Sequence, residues 1–381
     1  MSLSLKIKAV NFWEAVAVLT GTIIGAGVLG LPFVIAKLGA LPGLAMLLVL
    51  GLASLILNLM FAEVILRTRY RHQLAGYARK YLGKFAFTLE TVSFLVGGFG
   101  ALTAYLIGEG KVLTALFGGS EMTNALIFFV VTAIILFAGL KILKVFELWM
   151  VLALLVVVFS IFIFGFSSVD LSNYKNIQMN GWLVAYGVIL FAYGGAASIV
   201  PLREILRGHE QQVKRAVIVA TVIPIVVYIL FSLIVVGVTG LATTEVATVG
   251  LGEKLGQYMI IFGNLFAFFA MGTSFLTIGN TLKEFLHYDL KLSRIVSWVL
   301  TLIVPLSIFL FVARGFIDTL GVVGGLAFGL SGIILVLMFW RAKKRGDRLP
   351  EFHLSKLKIV GGALVLMFLF GLVYTVYGFL N

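Results

Sequence analysis

The fold is decided by residues 20–32, which read T-G-T-I-I-G-A-G-V-L-G-L-P. Glycines and a following proline interrupt an apolar stretch that is long enough to cross a membrane. A second interrupted stretch, F-A-Y-G-G-A-A-S-I-V-P, lies at 191–201. Glycine also allows close helix packing in membranes, so each interruption has a purely structural alternative. Two matching interruptions nevertheless predict two membrane helices that are broken near their middles.

The composition indicates a membrane protein. Of the 381 residues, 61% are hydrophobic and 12% are charged, against roughly 45–50% apolar and about 25% charged in soluble domains. This balance excludes a soluble enzyme, a disordered chain and a nucleic-acid-binding domain. The chain has no cysteine, which excludes disulfides, thiolate metal sites and cysteine nucleophiles.

Eleven apolar stretches without Asp, Glu, Lys or Arg are candidates for membrane-spanning helices. They lie at 15–36, 38–62, 91–108, 124–140, 148–169, 181–202, 216–244, 255–282, 295–313, 319–340 and 359–381. The runs are too long for barrel strands and do not alternate in polarity. The sequence therefore predicts an all-α membrane protein with 11 transmembrane helices, and span centres without ionised groups.

The basic residues predict the orientation of the chain. With a cytoplasmic N-terminus, 24 of the 29 Lys and Arg residues lie in cytoplasmic segments. This asymmetry follows the positive-inside rule. We expect a multi-pass protein of the plasma or inner membrane whose C-terminus, Asn381, lies outside. The net charge of +13 then faces anionic lipid headgroups, so the bilayer is the expected partner and nucleic acid is not.

The spacing of the two interruptions predicts an internal repeat. The second broken span comes five spans after the first, and because five is odd, the second unit must enter the membrane from the opposite side. We expect a single transporter domain, 1–381, built from an inverted repeat at 11–168, a second at 181–340, and an additional eleventh helix at 355–381. Inverted repeats with paired broken helices are typical of secondary transporters.

The broken helices offer complementary charges to a ligand. Amides at Ala26–Gly30, the start of the second half-helix, suit a carboxylate. The carbonyls of Gly21–Ile24 suit an ammonium group or a small cation. Thr22 and Ile23 are therefore among the predicted substrate-binding residues. The carbonyls of Phe191–Tyr193 are equivalent in the sixth span. A zwitterionic amino acid satisfies both ends without any charged side chain.

Several motifs resemble amino acid permeases of the APC superfamily, which have the LeuT-type fold. The resemblance is closest to the hydroxy/aromatic amino acid permeases and the amino acid/auxin permeases, and it covers nearly the whole chain. Besides 20–32, the motifs are A-E-V-I-L-R-T at 62–68, Y-A-R-K-Y-L-G at 77–83, G-A-L-T-A-Y-L at 100–106, F-A-Y-G-G at 191–195, T-S-F-L at 273–276, L-T-L-I-V-P-L at 300–306 and R-G-F-I-D-T-L-G at 314–321. Many relatives have a histidine in the sixth-helix break where this chain has Ala196 or a neighbour, so the resemblance does not define the substrate.

The resemblance implies a set of substrate-binding residues. The backbone of Gly25, Ala26 and Gly27 would meet the substrate carboxylate, and the hydroxyl of Tyr105 would reach it. The side-chain pocket would be lined by Phe191, Ala192 and Tyr193. Packing roles for Tyr105 and Tyr193 are equally compatible with the sequence, because buried tyrosine is common in both settings.

The resemblance also implies a sodium site and no other cofactor. Its ligands would be the hydroxyls of Thr273 and Ser274 and the carbonyls of Gly21, Ile24 and Ala270. The alternative is that both hydroxyls bond a carbonyl of their own helix, as membrane helices allow. Sodium and a proton both stay open as the coupling ion.

The expected function is cation-coupled symport of a neutral amino acid, with aromatic ones among the candidates. An exchanger or a nutrient sensor on the same scaffold stays open, and a channel is less favoured. An intramembrane enzyme would need a nucleophile or metal cluster at depth, and all four histidines lie in predicted loops. The particular amino acid and the oligomeric state are not defined by the sequence.

Overall fold

The structure is a computed structural model that describes residues 3–138, 156–157, 160–163, 165–175, 177, 181–313 and 315–380. Within these ranges the chain is helical, and its only β-type pairing is a single bridge between Gly39 and Ile177. Nine helices there are long and apolar enough to cross a membrane, and a bent pair makes a possible tenth. The prediction of an all-α membrane protein is confirmed. Half of the fifth predicted span, 148–169, lies outside the described residues.

The first half of the chain contains six described α-helices. They are α1 (Leu3–Ile23), α2 (Leu31–Leu38), α3 (Ala40–Leu66), α4 (Leu74–Leu82), α5 (Lys84–Phe117) and α6 (Glu121–Ala138). A 3-10 turn, Ala26–Gly30, separates α1 from α2. Between the two halves, a second 3-10 turn spans Leu171–Tyr174.

The second half contains nine described α-helices. They are α7 (Trp182–Ala192), α8 (Ile199–Ile205), α9 (Val213–Thr239), α10 (Ala247–Leu255), α11 (Gln257–Glu284), α12 (Arg294–Phe311), α13 (Phe316–Val323), α14 (Gly329–Arg345) and α15 (Lys358–Leu380). One π-helical segment, Phe285–Asp289, extends α11, and another, Gly324–Phe328, joins α13 to α14.

Burial separates central helices from peripheral ones. Of the residues in the most apolar 18-residue stretch of α7 and α8, 67% are buried. The corresponding share is 22% in each of α6, α12 and α15. The apolar faces of the peripheral helices are left for lipid, as expected where the surrounding solvent is hydrocarbon. The interrupted helices are therefore at the centre of the bundle, where irregular backbone at membrane depth is tolerated.

Three glycines bring α7 and α13 into backbone contact. A Cβ atom on Gly187 would lie 2.0 Å from the carbonyl oxygen of Gly321, and one on Gly324 would lie 1.8 Å from that of Gly187. Neither separation is compatible with a side chain. Small residues at such crossings allow helices in membranes to approach closely, so these glycines have a packing role.

Helix α5 is longer than the charge-free run 91–108 that predicted it. It extends from Lys84 to Phe117 and includes Glu90 and Glu109, which are 1% and 0% exposed. The rule that excluded charged residues ended the predicted span at both glutamates. The predicted span therefore left out two carboxyl groups that are buried in this helix.

One end of the bundle is held together by a buried ion-pair cluster. The Glu63 carboxylate is fully buried and lies 2.7 Å from both Arg67 Nε and Lys343 Nζ. It also accepts a hydrogen bond of 2.7 Å from the amide of Leu354. This carboxylate therefore ties α3 to the end of α14 and to the loop before α15.

Two further ion pairs lie at the same end. Arg71 pairs with Glu204, and Lys80 pairs with Asp347. Hydrogen bonds from the Lys80 side chain and the Arg69 amide hold the pKa of Asp347 below its usual value. The loops that the sequence assigned to the cytoplasm thus meet at one end of the molecule.

Candidate functional site

The first interruption leaves backbone amides free at the centre of the bundle. Helix α1 ends at Ile23, and the segment that follows is bent by 44° from it. The Gly25 amide donates to the carbonyl of Ile23, and the Val28 amide donates to that of Gly25. Among the described residues, no backbone carbonyl accepts from the amides of Ala26 and Gly27. These two buried N–H groups are available to an anionic group.

The second interruption has the same character. Helix α7 ends at Ala192, a short 3-10 turn spans Ala196–Ser198, and α8 begins at Ile199. The described part of the chain supplies no backbone acceptor for the amides of Gly195 and Ala196. The amide of Gly194 donates back to the carbonyl of Phe191 at 3.0 Å, which leaves the carbonyl of Ala192 outside the helical ladder.

Tyr228 of α9 connects the two interruptions. Its hydroxyl is buried and lies 2.6 Å from the carbonyl oxygen of Ile23 and 2.8 Å from that of Ala192. These are the last residues of α1 and α7. A hydroxyl has one hydrogen, so it donates to one of the two carbonyls at a time. The unwound ends of both half-helices therefore converge on one side chain.

Gly25 faces residues of α11 and α5 that the sequence also singled out. A Cβ atom on Gly25 would lie 3.6 Å from Ser274 Oγ. The Ser274 side chain in turn lies near the Tyr105 hydroxyl. The structure thus brings Gly25, Ser274 and Tyr105 together at the first interruption.

Gly27 packs directly on the second interrupted helix. A Cβ atom there would lie 2.8 Å from Ala192 Cα and 3.2 Å from Phe191 Cδ1. The Phe191 ring meets the rings of Tyr105 and Phe328 edge to face, with centroids 6.4 and 5.7 Å away. Aromatic side chains therefore form one wall beside the free amides.

Tyr193 points toward α3. Its hydroxyl donates to the carbonyl of Leu47 at 3.2 Å, and its own carbonyl accepts from Ser54 at 3.3 Å. Its ring lies 5.2 Å from that of Tyr228. In this conformation the Tyr193 side chain packs between α3 and α9, next to the second interruption.

The two interruptions are accessible from one side. Thr22 is exposed, and its hydroxyl accepts a hydrogen bond of 2.9 Å from Ser198 while donating to the carbonyl of Val18. Ala197 is also exposed, whereas Ala26–Gly30 are all buried. The α1 and α8 side of the breaks is therefore open, and the α2 side is closed by packing against α3, α7 and α9.

The candidate sodium ligands are brought together in part. Ser274 lies next to Gly25, as described above. The Thr273 hydroxyl donates to the carbonyl of Phe269 at 2.8 Å and lies 3.4 Å from that of Ala270, both in its own helix. Its oxygen lone pairs stay available to a cation. Gly21 is half-buried and Ile24 is buried, and the Ile24 amide donates to the carbonyl of Thr20.

A separate cavity of about 270 Å³ lies at the end of the molecule opposite the Glu63 cluster. Lys111 of α5 and Glu245 pair across it at 3.1 Å, and Glu245 also accepts from the amide of Phe316 at 3.2 Å. The remaining lining residues are Thr114, Ala115, Glu121, Thr244, Val246, Val249 and Glu253. The sequence assigned all of these segments to the outer side.

Residues 8–379 match the model of the tryptophan/tyrosine permease family. The chain belongs to this family. It is 28% identical to tyrosine-specific transport system 1 of Haemophilus influenzae, a match that covers 91% of this chain and 90% of the relative. It is 26% identical to glutamine transporter 2 of Aliivibrio fischeri, with 93% and 96% covered. The prediction of a membrane transporter, and of no enzyme, is confirmed.

A solved structure supports the fold of this permease. The chain resembles Mhp1, a nucleobase-cation-symport-1 family transporter captured in a closed conformation with bromovinylhydantoin bound. The TM-score is 0.59 at 13% identity, and the likeness covers 96% of this chain and 93% of the other. At this identity the comparison establishes a LeuT-like fold and nothing about the ligand.

Sequence reasoning missed two central residues of this permease. Tyr228 was not selected, although a lone tyrosine in the aliphatic run V-V-Y-I-L-F at 226–231 gives a weak signal. Glu109 was assigned to a span end, because a charged residue was taken to mark the boundary of a helix. Only the packing of α5 against α6 and α11 reveals that it is buried.

Proposed function

We propose that this permease is a secondary active transporter that couples the uptake of a neutral amino acid to a cation. The fold proposed is an inverted repeat of five plus five helices, 11–168 and 181–340, with the first and sixth broken and an additional helix at 355–381. We propose that a chain with this fold belongs to the APC superfamily. The N-terminus would be cytoplasmic and the C-terminus outside.

The observation that carries the proposal is the convergence of two interrupted helices on Tyr228. At membrane depth each carbonyl freed by an interruption needs a hydrogen-bond partner. Here one hydroxyl reaches the last carbonyl of each first half-helix. The amides of Ala26 and Gly27, directly after Gly25, supply positive partial charge opposite to the negative partial charge of these carbonyls. This arrangement suits a zwitterion.

The proposed substrate set comprises the backbone of Thr22, Ile23, Gly25, Ala26 and Gly27, the Tyr105 hydroxyl, and Phe191 with its neighbours Ala192 and Tyr193. The carboxylate would bind the free amides, and the ammonium group would bind the freed carbonyls. The edge-to-face contacts of Phe191 with Tyr105 and Phe328 support an aromatic wall for the substrate side chain. The tyrosine-specific relatives support the same choice, and the glutamine transporter keeps the class wider than aromatic amino acids.

The coupling cation is proposed to be sodium or a proton. Sodium would bind the hydroxyls of Thr273 and Ser274 and the carbonyls of Gly21, Ile24 and Ala270. The closeness of Ser274 to Gly25 supports a site between α11 and the first interruption.

Counterflow in proteoliposomes tests the proposal. Vesicles loaded with unlabelled amino acid should accumulate the same amino acid in labelled form without an imposed ion gradient. Tyrosine and glutamine are the first probes. Because a ligand that binds the folded state raises the apparent stability, a thermal-shift screen against the twenty amino acids identifies further probes. A permease that binds an amino acid but gives no counterflow would be a sensor and not a transporter. One that gives counterflow but no net uptake would be an exchanger.

A further inference from the structure

Glu109 is a carboxyl group buried inside the bundle. It lies in the outer half of α5 with 0% exposure. Neither of its side-chain oxygens has a hydrogen-bond partner among the described residues. An ionised carboxylate in such surroundings is very costly. The protonated, neutral form of the carboxyl group is far less costly to bury.

The immediate surroundings of Glu109 are apolar. From α11, a Cβ atom on Gly272 would lie 3.6 Å from Glu109 Oε1 and 3.6 Å from the Phe128 ring of α6. The charged groups on the elements packed around α5 are exposed or half-buried at the two ends of the bundle. At the outer end they are Lys111, Glu121, Glu245, Glu253, Lys254 and Asp318, and at the other end Arg79, Lys80, Lys84, Lys283, Glu284, Arg294, Arg341, Lys343, Lys344 and Arg345.

Glu109 lies between the outer cavity and the substrate site. Tyr105 precedes it by four residues on the same helix face, about 6 Å away along the axis, and lies near Ser274. Lys111 and Thr114, two and five residues after it, line the outer cavity. One carboxyl group therefore separates the two polar regions of the molecule on α5.

We propose that Glu109 carries the coupling proton. This inference rests on the proposed transport function and assigns its cation. When the outer end opens, water in the cavity at Lys111 hydrates Glu109, which takes up a proton on one carboxyl oxygen. The protonated group is neutral and can be buried as it is here. After substrate release, the same proton passes to water on the open side of the interruptions, where Thr22 is exposed. Each cycle therefore moves one proton inward, and no other bond is made or broken.

The other buried glutamates do not have this combination of features. Glu63 is paired with Arg67 and Lys343 and accepts from Leu354. Glu90, on the same helix as Glu109, accepts a hydrogen bond of 2.7 Å from Ser331 and lies far from the outer cavity. Glu90 therefore provides a matched control of the same residue type, helix and degree of burial.

The test separates transport from proton coupling. Proteoliposomes without sodium are first assayed for counterflow of tyrosine or glutamine without a pH gradient, which tests the proposed function alone. The same vesicles are then given an outside pH one unit below the inside pH. With one proton per substrate, this gradient supports about tenfold accumulation. Counterflow without any response to the pH gradient would overturn the inference and leave the proposed function intact.

Two substitutions at Glu109 complete the test. Glu109→Gln should still give measurable counterflow and should lose the accumulation driven by the pH gradient. Glu109→Met should lose the same response, and it should fold at least as well as the parent because no hydrogen bond is broken. Glu90→Gln should accumulate substrate like the parent. Accumulation by both Glu109 variants, or its loss in Glu90→Gln alone, would place the proton elsewhere.

Discussion

The hydroxyl of Tyr228 lies 2.6 Å from the carbonyl oxygen of Ile23, so a side chain of α9 terminates the first half of a broken helix. Tyr228→Phe removes this oxygen and leaves two buried carbonyls without their partner. A lost hydrogen bond of this kind costs about 1–3 kcal/mol, and we expect substrate affinity to fall by about tenfold or more. The measurement is substrate binding by purified protein.

Tyr186→Phe is the matched control for Tyr228→Phe. Tyr186 is also buried, and its hydroxyl makes only a long contact of 3.4 Å with the carbonyl of Met367. It should bind substrate like the parent. Equal affinities in the two variants would show that the hydroxyl of Tyr228 has no role in the site.

Substitution of two neighbouring glycines should separate binding from packing. Gly25 has φ −86° and ψ −159°, which alanine adopts freely, and a methyl group there makes only ordinary contacts. Gly25→Ala should therefore fold normally and bind substrate poorly, since the methyl group projects toward Ser274. Gly27→Ala places a methyl group 2.8 Å from Ala192 Cα, so it should lose about 1–3 kcal/mol of stability through overpacking.

The two measurements are the melting temperature and the substrate affinity of each variant. Normal stability with normal binding in Gly25→Ala would remove the first interruption from the substrate site. The sequence pattern treated both glycines as equivalent members of one motif, because it shows where a helix is interrupted and not what faces each glycine. The contact of Gly27 with α7 depends on tertiary packing.

The sodium proposal predicts that the hydroxyls of Ser274 and Thr273 both contribute to ion binding. Ser274 lies beside Gly25, whereas the Thr273 hydroxyl already donates within its own helix. If the cation is sodium, Ser274→Ala and Thr273→Ala should both raise the sodium concentration for half-maximal uptake. Affinity for substrate should fall in parallel, because coupling between ion and substrate is reciprocal. Sodium titrations of uptake check this, and parental ion dependence in both variants would mean that the hydroxyls are structural.

Loss of the Glu63 carboxylate should destabilise one end of the bundle. Glu63→Gln leaves Arg67 and Lys343 half-buried or buried without their counter-charge. Breaking a buried pair in this way costs about 3–5 kcal/mol. Glu351→Gln, which affects a more exposed pair with Arg348, should cost much less. Thermal unfolding of the two variants in detergent is the comparison, and similar melting temperatures would contradict the role assigned to Glu63.

The proposed orientation can be tested at a single position. Because the chain has no cysteine, Arg345→Cys introduces one thiol at the end of α14 without any background. An impermeant maleimide should label it in inside-out vesicles and not in intact cells. Labelling of intact cells would reverse the topology.

The sequence predicted the features that depend on local composition. Runs such as 38–62 and 216–244 correspond to α3 and α9 with ends displaced by a few residues. It could not predict the true ends of α5, because the burial of Glu90 and Glu109 depends on which helices cover them. For the same reason it did not identify Tyr228, whose importance comes from two carbonyls far away in the chain.

The backbone contact between Gly187 and Gly321 has a mechanical consequence. At this crossing the two backbones meet at glycines, so α7 and α13 lie closer together than a side chain at either glycine would allow. A displacement of α7 must carry α13 along, so the two helices form one rigid lever during the transport cycle. The hinges then lie beyond its ends, at Tyr193–Gly195 and in the π-helical segment after Val323.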